Sequence, residues 1–230
     1  MKSSALFQSL SGHPRWRHRS RSLWLILIGV LLTSSAPWIH AGGLPAFESD
    51  QEAHLWLKEN SPYYSLMAEE VEKRGDISFD VLENQKGGMV ESGTGQGPGR
   101  ILLAKELKGA ARLSIHIFEL TNAYQKRLHD EVDEKVRSGA IETPAEFGLL
   151  HELIEYDGLR YHRFVLAELN AVLDGGIPRE MLTWINPKLT DLSSYELPLA
   201  FEYAKAQARS GHTAHYHEWF WRQKPAAPAR

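Results

Sequence analysis

The chain has no cysteine in its 230 residues, which excludes disulfides, thiolate chemistry and a lipid anchor on an N-terminal cysteine. It has no Gly-x-Ser-x-Gly elbow and no legible Ser/His/Asp arrangement, so serine hydrolysis has nothing to stand on. The Gly-rich stretch from Thr94 to Gly99 lacks the Gly-Lys-Ser/Thr ending of a phosphate loop, and a strand pattern rather than a helix follows it. It reads as a loop between strands. No internal repeat is present. Positive charge is scarce beyond the N-terminus. Removing the first 41 residues takes five of the 26 basic residues and none of the 29 acidic ones, leaving the remainder at −8 with His neutral. Such a surface argues against a nucleic-acid partner.

The N-terminus reads as a secretory leader. Lys2, Arg15, Arg17, Arg19 and Arg21 form a basic region without acids, and Leu23 to Leu32 is an apolar core too short for a stable membrane span. Ile39-His40-Ala41 before Gly42 offers a cleavage site, whereas Pro37 argues against cleavage after Ala36. Residues 1–41 are therefore expected to be a signal peptide, with no membrane span after cleavage and a periplasmic or secreted destination. An uncleaved anchor is the alternative. No adjacent arginine pair supports the twin-arginine route. What remains suits one domain, residues 42–222, with 223–230 a disordered tail carrying Pro225 and Pro228.

Periodicity gives the elements. Glu48 to Asn60 and Pro62 to Lys73 read as helices, with Ser61-Pro62 as N-cap and first position of the second. Ile77–Leu82 alternates like a strand with one wet face; Gly87-Gly88 permits a turn to Met89–Ser92, and Ile101–Ala104 is a third strand. A central helix is expected from Gly109 or Ala110 to Arg137 without interruption. Thr143-Pro144-Ala145-Glu146 is a capping-box start for a second long helix reaching about Leu173. Pro178–Leu182 is a short turn, Thr183–Pro187 an apolar cover, Ser194–Arg209 a helix with Pro198 in its first turn, and His212–Trp221 a last short helix. The expected fold is α+β and mainly helical: a long antiparallel helical hairpin packed on a small β-sheet.

The central helix is apolar on most sides between Leu113 and Tyr124, yet carries His116, Glu119 and Asn122. A buried carboxylate must be paired, hydrogen-bonded or neutral. On the partner helix His151, Glu155, Gly158 and His162 repeat at helical spacing, with Glu152 and Tyr156 beside them. Gly158 leaves room for a backbone or ligand. These residues form either a polar pocket with Glu119 or Glu155 as acid/base, or a structural network tying Glu119 to Arg160 or a histidine. A metal site from His116, His151 and His162 with Glu119 or Glu155 is the further possibility. His212, His215, His217 and Glu218 read as solvated, beside Trp219, Phe220 and Trp221, which dock the segment.

Three strands followed by a helix with a central Glu, then a second Glu-bearing helix, resemble a minimal zincin metallopeptidase over about residues 77–156. That family carries His-Glu-x-x-His on the first helix; here the five residues are Phe118-Glu119-Leu120-Thr121-Asn122. The resemblance implies a zincin-like layout, with Glu119 in the place of the general base and Glu152 or Glu155 in the place of a third zinc ligand. Phe118 and Asn122 stand where the two histidines belong, and phenylalanine cannot ligate metal. It thus implies a degenerate metallopeptidase whose activity is lost. The chain is also similar to uncharacterised exported bacterial proteins that share a Phe-Glu-Leu-x-Asn helix, a similarity that brings no activity with it. The expectation is an exported, non-catalytic binding domain without cofactor, taking a protein or peptide partner. The alternative is a metal-dependent hydrolase or metal-binding protein, with zinc, using the His/Glu cluster between the two helices.

Overall fold

The computed structural model describes residues 43–83, 87–91 and 99–224. The expected leader and its cleavage site, Ser92 of the expected second strand, residues 94–98 of the Gly-rich stretch and residues 225–230 of the expected tail lie outside these. The described chain is mainly helical: α1 (Asp50–Asn60), α2 (Pro62–Glu72), β1 (Ser78–Leu82), β2 (Gly88–Glu91), β3 (Arg100–Ala104), α3 (Gly109–Tyr124), α4 (Lys126–Arg137), α5 (Pro144–Val172), α6 (Glu180–Thr183), a 3-10 turn at Leu192–Ser194, α7 (Ala200–Ser210) and α8 (His212–Gln223). Gln223, assigned to the tail by its composition, closes α8. None of the described helices is long and apolar enough to cross a membrane.

The sheet differs from a simple meander. Its order is β1-β3-β2, with β1 parallel and β2 antiparallel to β3. Gly87-Gly88 therefore does not fold β2 back onto β1. The cause lies in β3, whose Ile101–Ala104 run is buried at every position and suits a central strand with both faces covered. The half-wet β1 and β2 flank it.

The central helix is also not continuous. It breaks at Gln125, which leaves helical geometry at φ −83°, ψ 2°. Thr121 donates its hydroxyl to the Phe118 carbonyl at 2.7 Å, and Arg74 donates to the Ala123 carbonyl at 2.6 Å. Side chains that take helix carbonyls in this way bend the ladder. Apolar α3 and charged α4 thus separate where the composition changes. Pro198 likewise precedes α7 rather than sitting in its first turn.

Helix α5 runs antiparallel to the α3–α4 pair. Ser114 meets His162, Thr121 and Gln125 face Gly158, and His129 meets His151. A Cβ on Gly158 would lie 2.9 Å from Thr121 Oγ1 and 3.0 Å from Gln125 Oε1, so glycine sets how closely the helices approach. The predicted caps form: Ser61 Oγ accepts from Tyr64 N–H at 3.0 Å, and Thr143 Oγ1 from Glu146 N–H at 3.2 Å. Glu168 of α5 accepts from Ser61 Oγ and from Tyr63 N–H, fixing the start of α2. One apolar core joins α1, α2, β3, α3 and α5 through Leu57, Met67, Leu103, Ile117, Leu120 and Leu169. A smaller one gathers Val132, Val136, Phe147, Tyr216 and Phe220 where α8 lies on α4 and α5.

Candidate functional site

A cleft of about 810 Å³ opens between β2, α3, α5, the 184–198 segment, α7 and α8. Its volume is that of a small-ligand or short-segment site. Trp184, Ile185, Pro187 and Leu197 supply apolar lining; Glu119, Glu155 and His212 supply polar lining.

Glu119 is the most perturbed of these groups. It is 4% exposed and receives one hydrogen bond, from Asn122 Nδ2 to Oε2 at 3.2 Å. Burial pushes its pKa up to about 8, with the charge of Glu155 adding in the same direction against the hydrogen bond from Asn122 and the attraction of His212. It is therefore largely protonated at neutral pH. Gly88 of β2 lies directly against it: a Cβ there would stand 2.7 Å from Glu119 Cγ and 2.9 Å from Oε1. The glycine read as a turn residue is what lets a strand lie over the carboxyl.

Glu155 is held by hydroxyls from α7 and α8. Tyr216 donates to Oε1 through a short hydrogen bond, and Tyr203 donates to Oε2 at 3.5 Å. Burial raises its pKa, offset in part by His212 and by these hydroxyls. One turn earlier, Glu152 Oε1 accepts from Thr213 Oγ1 at 2.7 Å and pairs with His212 Nδ1 at 3.0 Å. The Glu152 bond, followed by the charges of Glu155, Glu152 and Glu119, pushes His212 up to about 9. His212 is positioned by Gly211, whose φ of 90° turns the chain between α7 and α8. Gly148 does the rest: a Cβ there would be 2.8 Å from Thr213 Cγ2, so α8 packs closely on α5.

The three histidines of the sequence stripe do not converge on this cleft. All are fully buried, each in a different place. His116 Nε2 bonds Tyr64 Oη at 2.9 Å, Tyr64 bonds His54 Nδ1 at 2.7 Å, and His54 reaches Glu72 at 3.3 Å. His162 shares Ser114 Oγ with Trp184. His151 stacks on Tyr216, meets His129 Nδ1 at 2.6 Å and faces Asp133 at 3.5 Å. Burial holds both His116 and His162 down at about 3, so they are neutral packing groups. A His116/His151/His162 metal site is thus not assembled. Arg160 pairs with Asp157 and does not neutralise Glu119. Tyr156 stacks on Tyr203 and donates to the Pro198 carbonyl, bracing the rim. Phe118 packs its ring on Trp184 at 5.2 Å.

Sequence reasoning united Glu119, Asn122, Glu152 and Glu155 and missed His212 as their partner. The available signal was its place directly after Gly211 at a helix start, where an imidazolium is unfavourable unless acids face it. Comparison of the chain with protein-family models, with curated proteins and with solved structures gives no match.

Proposed function

We propose that this chain is a non-catalytic, zincin-like binding domain, exported to the periplasm or medium, whose cleft takes an extended polypeptide segment along the outer edge of β2. The observation that carries this reading is the position of β2. Gly87, Gly88, Met89 and Val90 line the cleft, and among the described residues β2 pairs only with β3. The Ala104 N–H to Gly87 carbonyl bond fixes the alternation of the ladder. Residues 89 and 91 then turn their polar groups to β3, and residues 88 and 90 turn theirs outward. An edge of this kind accepts a further strand, with side-chain pockets supplying selectivity. The apolar lining from Trp184 to Leu197 offers such pockets, and protonated Glu119 offers a hydrogen-bond donor to a passing carbonyl. Phe118 and Asn122, where the resembled family keeps zinc ligands, support binding without catalysis.

The test uses fluorescently labelled β-casein, a natively unfolded polypeptide, read by anisotropy and by hydrogen exchange. Binding that slows exchange at Gly88 and Val90, and that Val90→Pro abolishes while the melting curve survives, is the expected result. No saturable binding, or binding indifferent to Val90→Pro, overturns it. A second reading, a metal-dependent hydrolase with Glu119 as acid/base, is favoured by the high pKa of that group in an open cleft. Cleavage of the same casein that Glu119→Gln stops would replace the first reading.

A further inference from the structure

At the polar lining of the cleft, Glu155 and His212 meet the buried Glu152 behind them. Glu152, Glu155 and His212 each offer a donor atom, and all three atoms lie within 4.8 Å of one another. The two carboxylates are one turn apart on a rigid helix, and the imidazole comes from another element, so the spacing is set by α5–α8 packing at Gly148 rather than by flexible side chains. The carboxylates already accept orienting hydrogen bonds. Thr213 holds Glu152, while Tyr216 and Tyr203 hold Glu155, and Gln207 donates to Tyr203 at 2.7 Å. Such orienting hydrogen bonds are what metal-ligating carboxylates require. Independently, Glu152 is 1% exposed and its Oε2 has no hydrogen-bond partner among the described residues. A buried carboxylate oxygen without a donor is open to a cation, which here would displace the proton that His212 now shares with Oε1.

We propose that Glu152, Glu155 and His212 form a site for one divalent transition-metal ion, zinc by its mixed carboxylate and imidazole donors, with a fourth position open to the cleft. Three protein donors plus an open position is an arrangement that zinc accepts, whereas calcium and magnesium take oxygen donors in larger number. The site shares no histidine with the sequence stripe and does not depend on strand addition at β2. The ion would sit beside the bound segment and offer it a ligand position for a carbonyl or carboxylate.

Zinc chloride titrated into the chelator-treated full chain, followed by calorimetry and equilibrium dialysis without peptide, tests this. One zinc per chain is expected, with His212→Ala weakening it about 100-fold or more and Thr213→Val about tenfold. His212 is partly exposed, so His212→Ala should fold, as circular dichroism of the metal-free variant checks. His217→Ala serves as the control for adventitious imidazole binding and should leave affinity unchanged. Absence of stoichiometric zinc, zinc retained in His212→Ala, or zinc lost in His217→Ala overturns the proposal. Because no peptide is present, its failure is separate from failure of the cleft reading.

Discussion

Glu119→Gln replaces the protonated acid by a neutral side chain of the same shape, whose carbonyl can still accept from Asn122. Glu119 stands at about 8 in the fold against an ordinary value of 4.5 for a solvated glutamate. The folded chain therefore holds a proton that the unfolded chain releases between these two values. Stability from this group is fully present below pH 4.5 and is lost as pH rises toward 8. By pH 7 the gap of about 2.5 units corresponds to roughly 3 kcal/mol at 1.36 kcal/mol per unit. Glutamine carries no such dependence. The variant should match the parent near pH 4.5, exceed it by about 0.5 kcal/mol at pH 5, and exceed it by about 3 kcal/mol at pH 7. In a domain of this size that is a melting point about 6–12 °C higher at pH 7. Urea melts of both chains at the three pH values measure the differences directly. A variant that is less stable than the parent at pH 7, or a difference that does not change with pH, would refute the reasoning. A stabilised variant with weakened casein binding would mark Glu119 as a group kept for function at a cost in stability.

The buried histidines work in the opposite sense. His116 and His162 are held at about 3 against 6.5, so their contribution is complete above pH 6.5 and is lost as pH falls. In the Glu119→Gln background, denaturant midpoints taken at pH 6.5 and pH 5 should reveal a loss of about 3 kcal/mol from the pair, to which His129, also held at about 3 by burial, adds, and a flat profile would place these rings in contact with solvent. Gly158→Ala should destabilise by about 1–3 kcal/mol, since the new methyl meets Thr121 and Gln125 at the α3–α5 contact and this outweighs the helix preference of alanine; thermal melts that move upward would oppose it. Ser61→Ala removes the cap of α2 and one of the two donors to Glu168, for a loss of about 1–2 kcal/mol by chemical denaturation, and an unchanged midpoint would show that Tyr63 N–H alone suffices.

The elements were legible where local chemistry dictates them. Ser61-Pro62 and Thr143-Pro144 are helix starts on any background, and the alternation of Ile77–Leu82 announces an edge-like strand. Strand order was not legible, because it turns on which run must be covered on both faces; Ile101–Ala104 held that information, but only relative to its neighbours. The break at Gln125 escaped because it depends on Arg74, distant in sequence, reaching the Ala123 carbonyl. In the site, the burial of Glu119 followed from the apolar residues around it, and Glu155 from its spacing. The dispersal of His116, His151 and His162 could not be read from spacing alone. Residues three or four apart share a face of one helix, but the face that receives them belongs to another element. Each imidazole found a different hydroxyl, carboxylate or ring.

Helix α5 has one consequence beyond the site it carries. Its 29 residues form a single unbroken rod of about 44 Å, while the antiparallel stretch opposite is jointed at Gln125. Phe147 near one end belongs to the C-terminal apolar cluster, and Val165, Leu166 and Leu169 near the other belong to the main one. The two clusters share a common girder, so neither end can loosen without tugging on the other. A ligand gripped midway, at Glu155, would brace both ends at once.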